Sequence, residues 1–328
     1  IPLNDYREGN TRFKFLKEYS AQLDAPIEKI REFQLSKIKD ILHYAYENVP
    51  FYRELYDENR IDLSDIVTED DFQQIPIISK EDIRNYNEKF LSRKFDKKDL
   101  IRTGTGGTTS SPIDLYYTNE CFSQKQACTL YFYKWFGYEP GDPIAYLWGA
   151  EQDFPQRPTI ESRFRNYLTS IQLMLPSSYL NDEIMWDYYA KLKKFRPKVL
   201  QCYPTPLYIF SNFLAQNNLT LDIPNINMTA EYLYDYQREK IEAVFKKKVF
   251  NWYGVRELGH VATECALHKG LHVNTVGIYL ETILDGQQVF DTNGQIIVTD
   301  LLNLAMPLIR YRIGDIGKIS ERECACGS

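Results

Sequence analysis

The spacing of apolar positions predicts a mostly helical start to the chain. Between residues 25 and 60, apolar side chains recur at steps of three and four residues and leave a polar face rich in lysine and glutamate. Such a pattern is typical of an amphipathic helix. Pro50 ends this helix, because proline does not fit a helix interior, and a second short helix follows it. Ser79, with Asp82 three residues later, predicts a further capped helix.

The middle of the chain alternates between two patterns. The predicted helices are residues 118–136, 184–195, 206–216 and 235–247, and the predicted strands are 143–148, 198–203, 226–230 and 249–253. Short β-branched or aromatic runs between longer helical patterns indicate a parallel sheet with helices on its faces. Ligands of such sheets lie beyond the carboxyl ends of the strands. The residues expected at one such crevice are Trp148, Tyr203, Ala230, Glu231, Tyr253 and Gly254.

The pattern changes again from Gly270 onward. Short strands at 279–284, 295–299, 308–313 and 316–320 are separated by Asp-Gly, Asn-Gly and Gly-Asp turns. These turns favour antiparallel pairing in a small barrel-like or edge subdomain. The sequence therefore predicts an α/β fold with a helical lead-in over 1–100, an α/β nucleotide-binding core over 101–269 and a β subdomain over 270–328.

A stretch rich in glycine, threonine and serine, residues 103–112, resembles a device for holding phosphate. Glycines allow backbone N–H groups to turn onto an anion, and short hydroxyl side chains add donors without bulk. No lysine follows the glycines, so this is not the phosphate loop of kinases and GTPases. An ordinary turn between strands is the alternative.

Composition and charge narrow the class of protein. The chain has 328 residues, a hydrophobic fraction of 44% and a formal net charge of −6. The charge argues against a general nucleic-acid or anionic-membrane binder, and no apolar run is long enough for a transmembrane helix. Six cysteines are too few for a secreted disulfide framework. We therefore expect a soluble cytoplasmic protein with core thiols at Cys121, Cys128 and Cys202.

Three stretches together resemble the adenylate-forming superfamily, in the branch that contains phenylacetate-CoA ligase and the CapK proteins. The first, residues 105–112, is similar to the phosphate loop of that branch. The second, residues 229–233 with 250–257, is similar to its adenine-binding turn and Tyr-Gly-x-x-Glu motif. The third runs from Val298-Thr299-Asp300-Leu301 through Met-Pro-Leu-Ile-Arg-Tyr-Arg-Ile-Gly-Asp, residues 306–315. The resemblance covers most of the chain and implies the large domain of such an enzyme.

This resemblance implies ATP, magnesium and an acyl-adenylate intermediate, with coenzyme A as the expected co-substrate. Thr109 and Glu257 would be catalytic, and Glu257 would hold the magnesium ion, since carboxylate oxygens suit a hard cation. The implied nucleotide contacts are Thr105, Gly106, Gly107, Thr108, Thr109, Ala230, Glu231, Trp252, Tyr253, Gly254, Glu257 and Asp315. The expected acyl pocket consists of Trp148, Gly149 and Tyr203, whose aromatic rings suit an apolar or aryl acid.

The sequence departs from the family pattern at several places. Ser110 stands where the family usually has glycine, and Arg256 either pairs with Glu257 or reaches a phosphate. The family's mobile C-terminal domain, with the lysine that contacts the attacking carboxylate, has no counterpart in the sequence. We therefore expect nucleotide binding with poor adenylation from this chain.

Cysteines near the end of the chain resemble a metal site of the same branch. Cys265, His272, Cys324 and Cys326 would form a closed Cys3His site, which is typical of structural zinc. His268 is a rival ligand. Reduced cysteines and a solvent-facing histidine are the alternative.

Three hypotheses for function stay open at this point. The first is an acid-CoA ligase with a small-molecule carboxylic acid, ATP and coenzyme A as partners. A homodimer is one open alternative for its oligomeric state. The second is a CapK-like enzyme that transfers the acyl group to an amine, sugar or carrier. The third is a nucleotide-binding protein without turnover.

Overall fold

The computed structural model describes residues 11–104, 113–149, 172–320 and 322–327. Its helices are α1 (Arg12–Leu23), α2 (Ile27–Asn48), α3 (Pro50–Glu58), α4 (Lys80–Asn85), α5 (Asn119–Tyr133), α6 (Asp182–Phe195), α7 (Pro204–Gln216) and α8 (Asp235–Phe245). Its strands are β1 (Ile101–Gly104), β2 (Asp114–Tyr117), β3 (Ile144–Trp148), β4 (Gln172–Pro176), β5 (Val199–Cys202), β6 (Asn225–Met228), β7 (Val249–Val255), β8 (Gly259–Glu264), β9 (Leu271–Val273), β10 (Ile278–Leu284), β11 (Gln287–Gln288), β12 (Gly294–Asp300) and β13 (Tyr311–Gly317).

The chain divides into two compact units. The first unit contains Phe132–Gly254 and Ala262–His272. The second contains the described parts of Pro2–Tyr131, Val255–Val261 and Val273–Ser328. The three-part division made from the sequence stays a prediction. Among the described helices, none has the length and apolar character needed to span a bilayer.

A seven-stranded sheet, mostly in the first unit, has the strand order β4-β3-β5-β6-β7-β8-β9. Neighbours from β4 through β7 pair in parallel, which confirms the sheet predicted from the alternating pattern. Sequence analysis missed β4, because its residues Gln-Leu-Met-Leu-Pro include no β-branched or aromatic side chain. β8 and β9, on either side of the proposed zinc ligand Cys265, were not predicted either.

The core of the first unit forms where α7 packs against the middle of this sheet. Every residue of β5 is buried, as parallel strands covered on both faces require. Leu207, Phe210 and Leu214 of α7 recur at three- and four-residue steps and are buried with Leu200 of β5. Burial of such side chains stabilises the fold by about 1.5–3 kcal/mol each, so this packing fixes the carboxyl edge of the sheet.

A four-stranded antiparallel sheet in the second unit has the order β11-β10-β12-β13. It confirms the antiparallel pairing predicted after Gly270, but one boundary was wrong. The predicted turn at Gly314 lies inside the single strand β13. Its register against β12 shifts between Gln295 and Ile297, and Gly314 has a φ of 98°. Glycine here makes a β-bulge rather than a turn, because it accommodates the local kink without steric cost.

The helical lead-in forms as predicted and packs within the second unit. Pro50 occupies the first turn of α3, and Ser79 and Asp82 form the predicted capping box at α4. The hydroxyl of Tyr52 on α3 donates to the Pro307 carbonyl at 2.9 Å and accepts from the Ile309 N–H at 2.9 Å. One side chain of the lead-in thus fixes the backbone just before β13.

Candidate active site

The stretch predicted to bind phosphate lies outside the described residues. It comprises Thr105, Gly106, Gly107, Thr108 and Thr109. On either side of it, β1 and β2 form an antiparallel pair in which Gly104 lies opposite Asp114. The two flanks therefore meet at neighbouring strand ends, and the phosphate role of the stretch stays a prediction.

Glu257, the predicted magnesium ligand, lies in a tight turn of the second unit. The turn joins β7 to β8, and the Leu258 N–H closes it by donating to the Val255 carbonyl at 3.1 Å. Gly259 follows with a φ of 80°, a conformation open to glycine because it has no Cβ. The turn therefore holds Glu257 between two strands of the large sheet.

The Glu257 carboxylate has two neighbours in the second unit. The Tyr311 hydroxyl donates to its Oε1 at 3.4 Å, and Lys80 Nζ lies 3.8 Å from the same oxygen. The side chain is 12% exposed, so it remains reachable, and its oxygens are the donors that magnesium prefers. Sequence analysis considered Arg256 as the cation beside Glu257. It missed Lys80 because the capping motif of α4 already accounted for that segment.

Asp315, the predicted ribose ligand, shares a neighbour with Glu257. Burial raises the pKa of Tyr311, and the Glu257 and Asp315 carboxylates raise it further. Asp315 is exposed on β13, directly after the bulge at Gly314. Both carboxylates therefore act electrostatically on the Tyr311 hydroxyl group, whereas the ribose contact of Asp315 stays a prediction.

The residues predicted to form the acyl pocket contact one another in the first unit. Trp148 ends β3 and Tyr203 directly follows β5, and these strands are parallel neighbours. Their ring centroids lie 4.7 Å apart. A Cβ at Gly149 would meet a ring carbon of Tyr203 at 3.1 Å, so glycine permits this close approach. The rings of Trp148 and Tyr203 thus form one aromatic surface at the carboxyl edge of the sheet, beside Gly149.

The predicted adenine turn, Ala230 and Glu231, follows β6 along the same edge of the first unit. Ala230 has a φ of 70°, a left-handed conformation that is uncommon for alanine. The Glu231 carboxylate accepts from the Thr205 N–H in the first turn of α7 at 2.9 Å. Negative charge near a helix N-terminus is stabilising, so this contact fixes the turn against α7.

Trp252, Tyr253 and Gly254, the other predicted adenine contacts, are half-buried on β7. The strand continues to Val255, beyond the predicted end at Tyr253. These residues therefore lie within the strand rather than after it. Their contact with the nucleotide stays a prediction.

The predicted zinc ligands form two local pairs, one in each unit. In the first unit, Cys265 Sγ lies within 4.8 Å of a ring nitrogen of His272. In the second unit, the sulfurs of Cys324 and Cys326 lie within 4.8 Å of each other. Burial lowers the pKa of His272, which favours the neutral imidazole that metals bind. Each pair thus has the donor atoms of half a tetrahedral site.

His268, the rival zinc ligand, has a different partner in the first unit. Its Nδ1 lies 3.1 Å from the Glu264 carboxylate, which also accepts from Arg238 at 2.6 Å and from the Asn251 N–H at 2.9 Å. This network accounts for Nδ1 of His268 and favours His272 as the ligand.

No protein-family model matches the chain, but individual relatives do. Protein CapK of Staphylococcus aureus is 29% identical over 312 residues, which cover 92% of this chain and 67% of CapK. Phenylacetate-CoA ligase of Thermus thermophilus is 25% identical over 333 residues, which cover 94% of this chain and 70% of the ligase. The chain is thus similar over most of its length to proteins of the phenylacetate-CoA ligase and CapK branch of the adenylate-forming superfamily. This confirms the resemblance found in the three motif stretches.

The fold is similar to that of a solved acid-CoA ligase. The open conformation of 2-hydroxyisobutyryl-CoA ligase, in complex with 2-HIB-AMP and coenzyme A, matches with a TM-score of 0.75 and 17% identity. The match covers 92% of this chain and 73% of that ligase. The predicted α/β large domain is therefore confirmed.

Proposed function

We propose that this protein at full length activates a carboxylic acid with ATP and passes the acyl group to coenzyme A. A carboxylate oxygen attacks the α-phosphorus of ATP, the bond to the bridging oxygen breaks, and pyrophosphate leaves. The sulfur of coenzyme A then attacks the acyl carbonyl, AMP leaves with its oxygen, and the thiol proton is released. The observation that carries this proposal is the similarity to phenylacetate-CoA ligase over 94% of the chain.

The residues divide the work of the first step. Negative charge that develops on the phosphate oxygens must be neutralised in place. Thr105–Thr109 would supply backbone and hydroxyl donors, with Thr109 as a catalytic donor. Glu257 would hold magnesium, which offsets phosphate charge when it is bound. Lys80 Nζ lies 3.8 Å from the Glu257 carboxylate. Its ammonium would add to the positive charge of the magnesium ion at this site, which supports the role of Glu257.

The remaining site residues would hold the adenosine and the acid. Asp315 would accept hydrogen bonds from the ribose hydroxyls. Ala230, Glu231, Trp252, Tyr253 and Gly254 would border adenine. The contact between Trp148 and Tyr203 in the first unit supports an acyl pocket for an apolar acid, since adjoining rings offer a flat apolar wall.

ATP–pyrophosphate exchange tests the proposal. The protein is supplied with a panel of aryl, aliphatic and hydroxy acids, with and without coenzyme A, and Glu257→Gln serves as the matched variant. Acid-dependent exchange and a thioester product that both require Glu257 support the ligase. Nucleotide binding without exchange for any acid favours a protein that binds nucleotide without turnover.

A different acyl acceptor is the second candidate, and the 29% identity to CapK favours it. In this case the acyl-adenylate would pass to an amine, a sugar or a carrier. Exchange that proceeds while no coenzyme A thioester forms would distinguish this candidate from the ligase.

We further propose the structural zinc ion that the resemblance implies, with Cys265, His272, Cys324 and Cys326 as its ligands. Thiolate and neutral imidazole are the donors that zinc prefers. A set with four protein ligands leaves no open position, so the ion would stabilise the fold and take no part in the chemistry.

The sequence predictions on location and partners complete the proposal. The net charge of −6 supports a cytoplasmic protein without nucleic-acid or membrane partners. A homodimer stays a prediction that the mass in solution would test.

A further inference from the structure

Lys125 on α5 is a partly buried lysine to which the proposed chemistry assigns no role. Its ammonium lies 2.6 Å from Asp300 Oδ2 at the end of β12, and the two side chains are only 14% and 1% exposed. It also donates to the Leu258 carbonyl at 3.1 Å and lies 4.7 Å from the centroid of the Tyr117 ring. The ammonium of Lys125 thus makes two hydrogen bonds, to a carboxylate and a carbonyl, and a cation–π contact with an aromatic ring.

Lys125 and Tyr117 bind neighbouring carbonyl groups of the turn that contains Glu257. Lys125 binds the carbonyl of Leu258, and Tyr117 binds the carbonyl of Glu257 itself. The Tyr117 hydroxyl donates to the Glu257 carbonyl at 2.7 Å. Lys125 and the tyrosine under its ammonium thus hold two consecutive carbonyls of the turn that carries the proposed magnesium ligand. These two contacts, at 3.1 and 2.7 Å, together fix the backbone of the turn.

Asp300 links Lys125 to the backbone that follows β12. Its Oδ1 accepts from the Leu302 N–H at 3.0 Å and from the Asn303 N–H at 3.3 Å. Burial alone would lower the pKa of Lys125, but the Asp300 carboxylate reverses this, and the net shift is upward. The lysine therefore stays charged, and the pair is anchored at both ends.

We propose that Lys125, held by Asp300, is a positioning residue that fixes the backbone at Glu257 and so aims its carboxylate at the magnesium ion bound with ATP. This inference rests on the proposed magnesium role of Glu257. In this role Lys125 acts on the metal ligand through the Leu258 carbonyl and through Tyr117. Outer partners that orient a metal ligand are worth about 10- to 100-fold in metal affinity.

The test measures ATP affinity by calorimetry twice for each protein, in saturating Mg²⁺ and in EDTA. The ratio of the two affinities is the magnesium gain. Lys125→Met alone would leave the Asp300 charge buried and unpaired. The main variant is therefore Lys125→Met combined with Asp300→Asn. The amide oxygen of asparagine can still accept from the Leu302 and Asn303 N–H groups. Tyr117→Phe, which removes only one hydroxyl, is the second variant. Lys134→Met, at an exposed lysine just after α5, is the matched control.

We expect the double variant to lose about 10-fold or more of the magnesium gain, and Tyr117→Phe to lose part of it. ATP affinity in EDTA should stay within about 2-fold of wild type in both, and Lys134→Met should match wild type throughout. If the double variant does not fold, Tyr117→Phe decides. An unchanged magnesium gain in the variants, or an equal loss with and without Mg²⁺, overturns the inference. If the wild type itself shows no magnesium gain, the proposed role of Glu257 fails as well.

Discussion

The guanidinium of Arg310 and the carboxylate of Glu281 form a bidentate ion pair, at 3.0 and 2.8 Å, inside the second unit. Their side chains are only 5% and 1% exposed. Arg310 also donates to the Gln73 and Ile75 carbonyls, each at 2.6 Å. Burial raises the pKa of Glu281, and Arg310 opposes that shift. The pair ties the segment before α4 to β10.

Replacing Arg310 by methionine should lower the free energy of unfolding by about 3–5 kcal/mol, because it leaves the Glu281 charge buried without a partner. Arg310→Met with Glu281→Leu should be less destabilised than Arg310→Met alone, since no buried charge remains. Urea denaturation measures both. The exposed pair of Lys89 and Glu54 is the control, and Lys89→Met should cost less than about 1 kcal/mol. Equal losses for Arg310→Met and Lys89→Met would contradict the expectation.

Gly149→Ala should impair binding of the acid while leaving ATP binding intact. The added methyl group would meet Tyr203 ring carbons at 3.1 and 3.3 Å, so the ring must move relative to Trp148. A misplaced wall of an apolar pocket should raise the KM for the acid by about 10-fold or more. Pyrophosphate exchange at varied acid and varied ATP separates the two effects. A rise in the KM for ATP alone would argue against an acyl pocket here.

Zinc analysis should find about one ion per chain in protein purified without chelator. Cys265→Ser and Cys324→Ser should each abolish binding and lower the melting temperature, because each removes a thiolate ligand from the proposed site. His268→Asn is the matched control and should retain zinc, since Nδ1 of His268 is directed to Glu264 at 3.1 Å. Zinc loss in His268→Asn with retention in His272→Asn would reverse the assignment of the histidine ligand.

His260 should make the protein less stable in acid. Burial lowers the pKa of His260 to about 3, against about 6.5 in the unfolded chain. Between these values the unfolded state binds a proton that the folded state does not. The free energy of unfolding should therefore fall as the pH decreases from about 6.5 toward 3, by about 1.4 kcal/mol per pH unit from this group.

Denaturation of wild type and His260→Gln across this pH range isolates the contribution of the buried imidazole, because the other titrating groups are common to both. The variant should lose less stability on acidification. His43→Gln, at an exposed histidine of α2, should follow the wild-type profile. A His260→Gln profile parallel to wild type would show that His260 is not the titrating group.

Local chemistry made several elements predictable from the sequence. Proline at the first turn of α3, the capping box at Ser79 and the apolar run of β5 each specify structure within a few residues. The bulge at Gly314 was not predictable, because a Gly-Asp pair is typical of a turn and only the register against β12 distinguishes the two. β4 was missed since its own residues have little strand preference.

In the candidate site, too, the residues in local motifs were predictable and those that act through long-range contacts were not. Motif residues such as Glu257 and Asp315 are adjacent to recognisable patterns, so the sequence identified them. Lys80, Lys125 and Asp300 act through partners that are distant in sequence, such as the 175-residue separation between Lys125 and Asp300. Patterns along the chain carry no signal for such pairs. Buried charges are found only when the fold shows what lies opposite them.

The hydroxyl of Tyr52 forms hydrogen bonds to the backbone on both sides of Leu308. The N-terminal helices therefore help to position the backbone that precedes β13. A protein truncated at its N-terminus beyond Tyr52 would lose these hydrogen bonds. β13, which contains Asp315, would then pair with β12 without this constraint on its register. Truncation ahead of the glycine-rich stretch should therefore disturb residues more than two hundred positions away.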